Sequence, residues 1–342
     1  MKLAIFDSKS YDKLFFKKYE DKYDITYFDT ALNNKTVNLA EGFEAICVFV
    51  NDVINKEVID KLVEEQVKII LLRCAGFNNV DVDYCYKKIH VARVPSYSPT
   101  SIAEYTFSLL LSLSRKVIRG SNRTKDFNFS LDNLVGFDLA NKTLGVIGTG
   151  QIGLKVIDIA KGFGMNICYY DVVKKDIDGA KQVTMDELYN ISDIITLHAP
   201  LTNDNYHLIN KESISKMKQG VIIINTSRGG LINTNDLIEA LKDKYVSGAA
   251  LDVYEEESDL FFSDLSSTII EDDTIARLLT FPNVIVTSHQ AFLTDNALTN
   301  IASETIHNLE QYISGEYIDN EICYHCKNDM KACYKKRKER CF

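Results

Sequence analysis

The chain contains no tryptophan, only four prolines, and no apolar run long enough to cross a bilayer. A transmembrane helix needs about 20 predominantly apolar residues, and a secretory leader needs a basic start followed by an apolar core, so neither membrane insertion nor secretion is expected. The cytoplasm is the default compartment. Positive charge is scarce as well: 39 lysines and arginines stand against 48 aspartates and glutamates, a net charge of -9. A nucleic-acid surface wants a basic stripe, so no nucleic-acid partner is expected. Without tryptophan, ligand binding cannot be followed by indole quenching.

What is present suits a chain of two domains. At 342 residues, 46% hydrophobic and 25% charged, it can bury a substantial core. Four of the eight cysteines, Cys323, Cys326, Cys333 and Cys341, crowd the tail. Cys323-Tyr324-His325-Cys326 invites a zinc reading, but the later spacings match no structural-zinc pattern and Lys335-Lys336-Arg337-Lys338 looks solvated, so no metal is expected. Cys47 and Cys168 lie in apolar stretches and read as small core residues.

Apolar runs of strand length alternate with amphipathic runs of helix length, twice over. Residues 2–6, 25–28, 45–50, 67–72 and 91–94 read as strands of one parallel sheet, with segments such as 56–65 as crossovers. The second series, 143–147, 167–170, 194–198, 221–225, 248–251 and 284–287, reads as six strands of a doubly wound sheet. The prolines sit at junctions: Pro95 and Pro99 before a helix, Pro200 after a strand, Pro282 before the last strand. A helix from 101 to about 124, apolar through Ile102, Tyr105, Leu109, Leu113 and Val117, is expected to bridge the domains, and a helix over 295–314 to return to the first. The expected fold is α/β with two doubly wound parallel-sheet domains, a Rossmann-type domain over 101–298 inserted in a flavodoxin-like domain made of 1–100 and 299–342.

Gly148-Thr149-Gly150-Gln151-Ile152-Gly153 directly follows a strand, opens a helix, and is followed by Asp171 at the end of the next strand. Strand, glycine turn, helix, strand and acid is how a protein grips a dinucleotide. Gly148 permits the tight turn, Gly150 lets backbone approach the pyrophosphate, and Gly153 lets the helix pack close on the strand. The unpaired N–H groups of the helix start face the phosphates. Asp171 would take both hydroxyls of the adenosine ribose and repel a 2′-phosphate, so NAD is favoured over NADP, a preference that Lys174 and Lys175 weaken.

Hydride transfer to a 2-keto acid needs one group to hold a carboxylate, one to protonate the alkoxide, and one to keep that acid charged. Arg228 lies just past a strand end, where ligands bind in open α/β sheets, and its planar fork matches a carboxylate. His289 follows the last strand and suits acid and base work at neutral pH. Glu257 follows another strand end, and a carboxylate beside imidazole favours its protonated form. Alone, each has a plainer reading: a surface cation, a structural histidine, a solvated run of glutamates.

With these residues quoted, the chain resembles the D-2-hydroxyacid dehydrogenase family over almost its full length, closest to its fermentative D-lactate dehydrogenase branch. The motifs are Arg73-Cys74-Ala75-Gly76-Phe77-Asn78-Asn79-Val80-Asp81, Val94-Pro95-Ser96-Tyr97-Ser98-Pro99, the glycine turn, Thr226-Ser227-Arg228-Gly229, Leu251-Asp252-Val253-Tyr254 and Ser288-His289-Gln290-Ala291-Phe292. Asp259-Leu260-Phe261-Phe262 and Asp272-Asp273 point to the lactate branch. The resemblance implies NADH-dependent, reversible reduction of pyruvate to D-lactate, with Arg228 holding the carboxylate, His289 donating the proton and Glu257 as its acidic partner, five residues after Asp252. It further implies cofactor contacts from Gln151 and Ile152 at the pyrophosphate, Asp171 at the ribose, Ala199 and Pro200 beside the adenine half, and Asn205, Thr226, Ser227 and Asp252 towards the nicotinamide. Ala75 and Gly76 would offer N–H groups to the substrate, Tyr97 and Phe292 would line its pocket, and a homodimer or homotetramer is implied. Two other readings remain: a larger 2-keto acid such as phenylpyruvate or 2-ketoisocaproate, and a non-catalytic NAD-sensing binding protein, against which the intact Arg228, Glu257 and His289 set argues.

Overall fold

The computed structural model describes residues 1–257, 260–325 and 333–342. Asp259 and Cys326, which entered the branch and zinc readings, lie outside the described residues. The chain divides into two compact units, one of Met1–Ser98 with Leu293–Phe342 and one of Pro99–Phe292. Among the described residues no helix is long and apolar enough to cross a membrane.

The first unit holds five parallel strands, β1 (Lys2–Ile5), β2 (Asp24–Tyr27), β3 (Ala45–Val48), β4 (Ile69–Leu72) and β5 (His90–Arg93), in the order β2-β1-β3-β4-β5. Every residue of β3 and β4 is buried, which is why both read as unbroken apolar runs: a parallel sheet is covered on both faces. The strand order is the flavodoxin-like one. The helix Asp295–Ser314 is capped by the Thr294 side chain, which accepts from Ala297 N, and ends at Gly315 with φ of 78°. Its Ala302, Ile306 and Leu309 pack with Leu3, Ile5, Ile69 and Leu71 in the core of this unit.

The tail departs from the solvated reading at its end. Arg340 donates to the carbonyls of Glu316 (2.8 Å) and Gln311 (3.1 Å), tying the tail to the end of the helix Asp295–Ser314. Phe342 stacks on His90 with ring centroids 4.2 Å apart.

The second unit has seven parallel strands: β6 (Thr143–Ile147), β7 (Asn166–Tyr170), β8 (Lys181–Gln182), β9 (Ile194–Leu197), β10 (Val221–Asn225), β11 (Val246–Leu251) and β12 (Val284–Val286). Their order, β12-β11-β10-β9-β6-β7-β8, reverses direction between β6 and β9, the switch point of a Rossmann sheet. Both sheets are thus parallel and doubly wound, as the alternation of runs predicts. One strand more is present than the six expected, because β8 spans two polar residues and carries no periodicity. Val156, Ile157 and Ala160 of the helix Gln151–Gly162 pack with Leu144, Val146, Phe107 and Leu110.

The long helix expected from 101 to about 124 is two helices, Pro99–Ser114 and Val117–Lys125. Lys116 breaks it with a left-handed φ of 52°. The Ser114 carbonyl, which would otherwise continue the helix ladder, accepts instead from Phe137 N at 3.1 Å. Val117, assigned to the apolar face, is 54% exposed.

Candidate active site

Because the seven strands run parallel, their carboxyl ends share one edge, and the loops that follow them are built there. The loop after β6 is the glycine turn. Gly148 has a φ of +90°, and a Cβ on it would lie 2.6 Å from the His198 carbonyl oxygen. On Gly153 a Cβ would lie 2.1 Å from the Gly148 carbonyl oxygen, so only glycine lets the helix sit so close to the strand. On Gly150, by contrast, a Cβ would meet nothing within 4 Å: this side of the turn is open. Two glycines shaped by close backbone contact and a third facing open space fit a pyrophosphate laid against the start of the helix Gln151–Gly162, whose Gln151 and Ile152 open its first turn.

Asp171, at the end of β7, straps that turn. Its Oδ2 accepts from Thr149 N (2.8 Å) and Thr149 Oγ1 (2.6 Å), and its Oδ1 from Val173 N (2.9 Å). Burial works to raise the carboxyl, but the donors from Thr149 and Val173, with Lys175, outweigh it and hold the group well below the usual carboxylate range. Lys175 Nζ reaches both Thr149 O (2.6 Å) and Asp171 Oδ2 (3.3 Å). Thr149 and Lys175 are therefore working parts of the turn. The sequence shows them only as a variable position and a nearby cation.

After β9, Ala199 O accepts from Ser227 Oγ at 2.6 Å and Pro200 O from Asn205 Nδ2 at 2.7 Å. Asn205 Oδ1 also accepts from Thr202 N, so this amide holds its own loop with both ends. After β10, Thr226 is buried with its hydroxyl 3.0 Å from that of Thr106. Arg228 is half-buried, and its Nη1 donates to Ser227 O at 2.7 Å. No carboxylate of the described residues pairs with its guanidinium. A half-buried cation without a counter-charge, at a strand end, is equipped to take an anionic ligand.

The loop after β11 separates the three glutamates that look alike in the sequence. Glu257 Oε1 lies 3.0 Å from His289 Nδ1, and its Oε2 accepts from Tyr254 N at 3.0 Å. Glu255 pairs instead with His207, and Glu256 is exposed. Glu257 is thus the neighbour of the imidazole, the partner that the family resemblance implies.

His289, after β12, has a left-handed φ of 53°, a conformation unusual outside glycine and one that clusters at functional sites. Asp252 holds it there. The Asp252 backbone carbonyl accepts from His289 N (2.7 Å), and its carboxylate accepts from Thr287 Oγ1 (2.6 Å), Gln290 N (2.9 Å) and Ala291 N (2.9 Å). Burial pushes the Asp252 carboxyl up despite these donors. Asp252, which the resemblance places towards the nicotinamide, is wholly buried, and both its carboxylate oxygens accept from the histidine loop. Phe292 closes this loop, buried.

Three histidines belong to this unit. Burial pushes His198 down to about 3, so it stays neutral. His207 has both ring nitrogens engaged, with Glu255 and with Asn233. His289 differs from both: among the described residues of this unit it alone has one ring nitrogen, Nδ1, held by a carboxylate and the other, Nε2, reached by no hydrogen bond, whereas His198 is held at Nε2 by the Thr196 hydroxyl. A histidine oriented at one nitrogen and open at the other can pass a proton.

In the other unit, Ala75 and Gly76 follow β4. Ala75 O accepts from Arg93 Nη1 at 2.6 Å and Gly76 O from Cys74 Sγ at 3.2 Å, whereas neither N–H has an acceptor among the described residues. Tyr97 is half-buried, its carbonyl accepting from Asn300 Nδ2 at 2.6 Å.

A sheet edge of this kind serves a dinucleotide-dependent oxidoreductase. The family model for the NAD binding domain of D-isomer specific 2-hydroxyacid dehydrogenases matches residues 107–291. The D-lactate dehydrogenase of Escherichia coli K12 is 44% identical over 328 residues, covering 94% of this chain and 100% of that protein. The aromatic 2-oxoacid reductase of Clostridium sporogenes is 44% identical over 315 residues, covering 90% of this chain and 95% of that protein. The apo-structure of D-lactate dehydrogenase from Escherichia coli superimposes with a TM-score of 0.87 at 42% identity, covering 94% of this chain and all of that one. The chain belongs to the D-isomer specific 2-hydroxyacid dehydrogenase family, as its motifs predict, and is an NAD-dependent enzyme.

Proposed function

We propose that this enzyme reduces pyruvate to D-lactate, reversibly, with NADH. The observation that carries the reading is an imidazole held by Glu257 at one nitrogen and an Arg228 with no carboxylate partner among the described residues, on the loops after β12 and β10, the two strands that flank β11. Bound NADH supplies the hydride to the keto carbon. Arg228 holds the substrate carboxylate, with the unclaimed N–H groups of Ala75 and Gly76 keeping the donor role the resemblance gives them. His289 Nε2 gives its proton to the keto oxygen as charge develops there, and Glu257, 3.0 Å from Nδ1, keeps the ring aimed. The resemblance gives Tyr97 and Phe292 each a part in lining the substrate pocket. Asp252 acts through the histidine loop as a positioning residue.

The competing substrate is a larger 2-oxo acid. A relative as similar as the lactate enzyme is an aromatic 2-oxoacid reductase, and one methylene in an apolar pocket is worth only about 1–3 kcal/mol. Measuring kcat/KM for pyruvate, 2-ketoisocaproate and phenylpyruvate decides between them. Pyruvate should lead the series; a lead for phenylpyruvate would overturn the lactate reading and leave the family chemistry standing.

On the cofactor side, Gly148, Gly150, Gln151, Ile152 and Gly153 hold the pyrophosphate, Asp171 the ribose hydroxyls, and Ala199, Pro200, Asn205, Thr226 and Ser227 border the remainder. Asp171→Gly should reduce the preference for NADH over NADPH by about 10-fold or more in kcat/KM, since the repelling charge goes while Lys175 stays. An unaltered preference would mean selectivity resides elsewhere.

A second copy of this chain is the proposed partner. Phe127, Phe129, Leu131 and Val135 are 83%, 70%, 80% and 82% exposed along one short stretch, more apolar surface than a lone surface residue explains. Sedimentation of the wild type should give a dimer or larger, and Phe129→Asp should raise the monomer fraction; a wild-type monomer at micromolar concentration contradicts this.

A further inference from the structure

A second histidine–carboxylate pair lies one turn of backbone from the first. Glu255 Oε1 pairs with His207 Nε2 and accepts from Tyr206 OH at 3.1 Å, while its Oε2 accepts from Thr234 Oγ1 (3.1 Å) and Thr234 N (3.3 Å). His207 is held in turn: its N donates to Gly230 O at 2.8 Å, its ring stacks on Tyr206 at 3.9 Å, and Asn233 Nδ2 lies 3.4 Å from its Nδ1. One carboxylate therefore ties together the loops after β9, β10 and β11. Neither partner is accounted for by cofactor binding or proton transfer.

We infer that the Glu255–His207 pair is a positioning device that fixes Arg228 and Glu257 relative to each other. The mechanical link is short. Gly229, next to Arg228, lies so close to the Tyr254–Glu255 peptide that a Cβ on it would stand 2.0 Å from Tyr254 O and 2.5 Å from Glu255 N. On the other side of that peptide, Tyr254 N donates to Glu257 Oε2 at 3.0 Å. Any drift of 254–255 moves the arginine loop and the carboxylate behind His289 together. Glu255 and His207 side chains are 17% and 25% exposed, so the pair is shielded enough to hold rather than exchange with water. The inference rests on the roles proposed above for Arg228 and Glu257.

Misplacing reacting groups by about 1 Å costs on the order of 10²-fold, which sets the expected effect. In the full-length enzyme, with the best substrate of the keto-acid series, Glu255→Ala and His207→Ala should each lower kcat/KM by about 10- to 100-fold, mainly through KM. The double variant should be no worse than either single one, because both remove the same device. His207→Gln, whose amide can still donate to Glu255, should recover to within about 3-fold of wild type. Affinity for NADH, read from its own emission, should fall clearly less than kcat/KM throughout, since the glycine turn and Asp171 are untouched. The inference is overturned by near-wild-type kcat/KM in both alanine variants, by a parallel loss of NADH affinity, or by His207→Gln being as poor as His207→Ala. Should Glu255→Ala not fold, the His207 pair alone decides. Wild-type turnover is read first: its absence for every keto acid sinks the proposed function and the inference with it, whereas an active wild type with indifferent variants sinks the inference alone.

Discussion

His289→Ala is expected to lower kcat for 2-oxo acid reduction by about 10²- to 10⁴-fold, the usual contribution of a positioned acid. The imidazole is oriented at Nδ1 by Glu257 and unengaged at Nε2, whereas His207 is engaged at both nitrogens and His198, held by the Thr196 hydroxyl, is kept neutral by burial. The Asp171 strap and the glycine turn stay intact in the variant, so NADH affinity should persist and the loss should fall on turnover. Residue 289 has a φ of 53°, which asparagine tolerates better than alanine, so His289→Asn serves as the control for backbone strain. Both variants should be slow. Steady-state NADH oxidation reads the effect, and wild-type turnover in either would remove His289 from the mechanism. Glu257→Gln tests the same pair from its other side. Losing the carboxylate removes the acceptor that aims Nδ1, so kcat should fall while NADH affinity persists; an unchanged kcat would mean Glu257 does not support the ring.

Arg228→Lys is expected to raise KM for pyruvate by about 10- to 10²-fold, the worth of one or two lost charge-assisted hydrogen bonds. Lysine keeps the charge but presents a point rather than a fork. The structure leaves the guanidinium no carboxylate partner among the described residues, with only Ser227 O engaging Nη1, so the second edge of the fork has nothing to do but meet a ligand. NADH binding should change little. An unchanged KM and kcat would show that another group holds the carboxylate.

The cofactor turn was legible because two of its three glycines, Gly148 and Gly153, are forced by the backbone. The positive φ at Gly148 and the 2.1 Å approach at Gly153 are requirements that a spacing pattern can express. The central strands were legible for a similar reason, since β3 and β4 are apolar throughout and covered on both faces. Where the signal is cooperative over distance, the sequence is silent. Val117 and Ile118 continue an apolar period past Ser114, and the left-handed Lys116 with the arrival of Phe137 at the Ser114 carbonyl ends the helix. β8 has two polar residues and exists because β7 offers it an edge.

Glu255-Glu256-Glu257 makes the same point within the site. Three like charges in a row read as one solvated loop, yet one is exposed, one faces a histidine 48 residues away and one a histidine 32 residues away. Family spacing singled out Glu257. Nothing local could have singled out Glu255, and nothing in the motif around Asp252 distinguishes a residue that touches a ligand from one that, fully buried, holds the loop that does.

The most direct test of the account is the product itself: NADH oxidation with pyruvate by the purified enzyme, followed by chiral chromatography of the lactate formed. Stoichiometric D-lactate is the predicted result. L-lactate, or no NADH consumption with pyruvate, would contradict it.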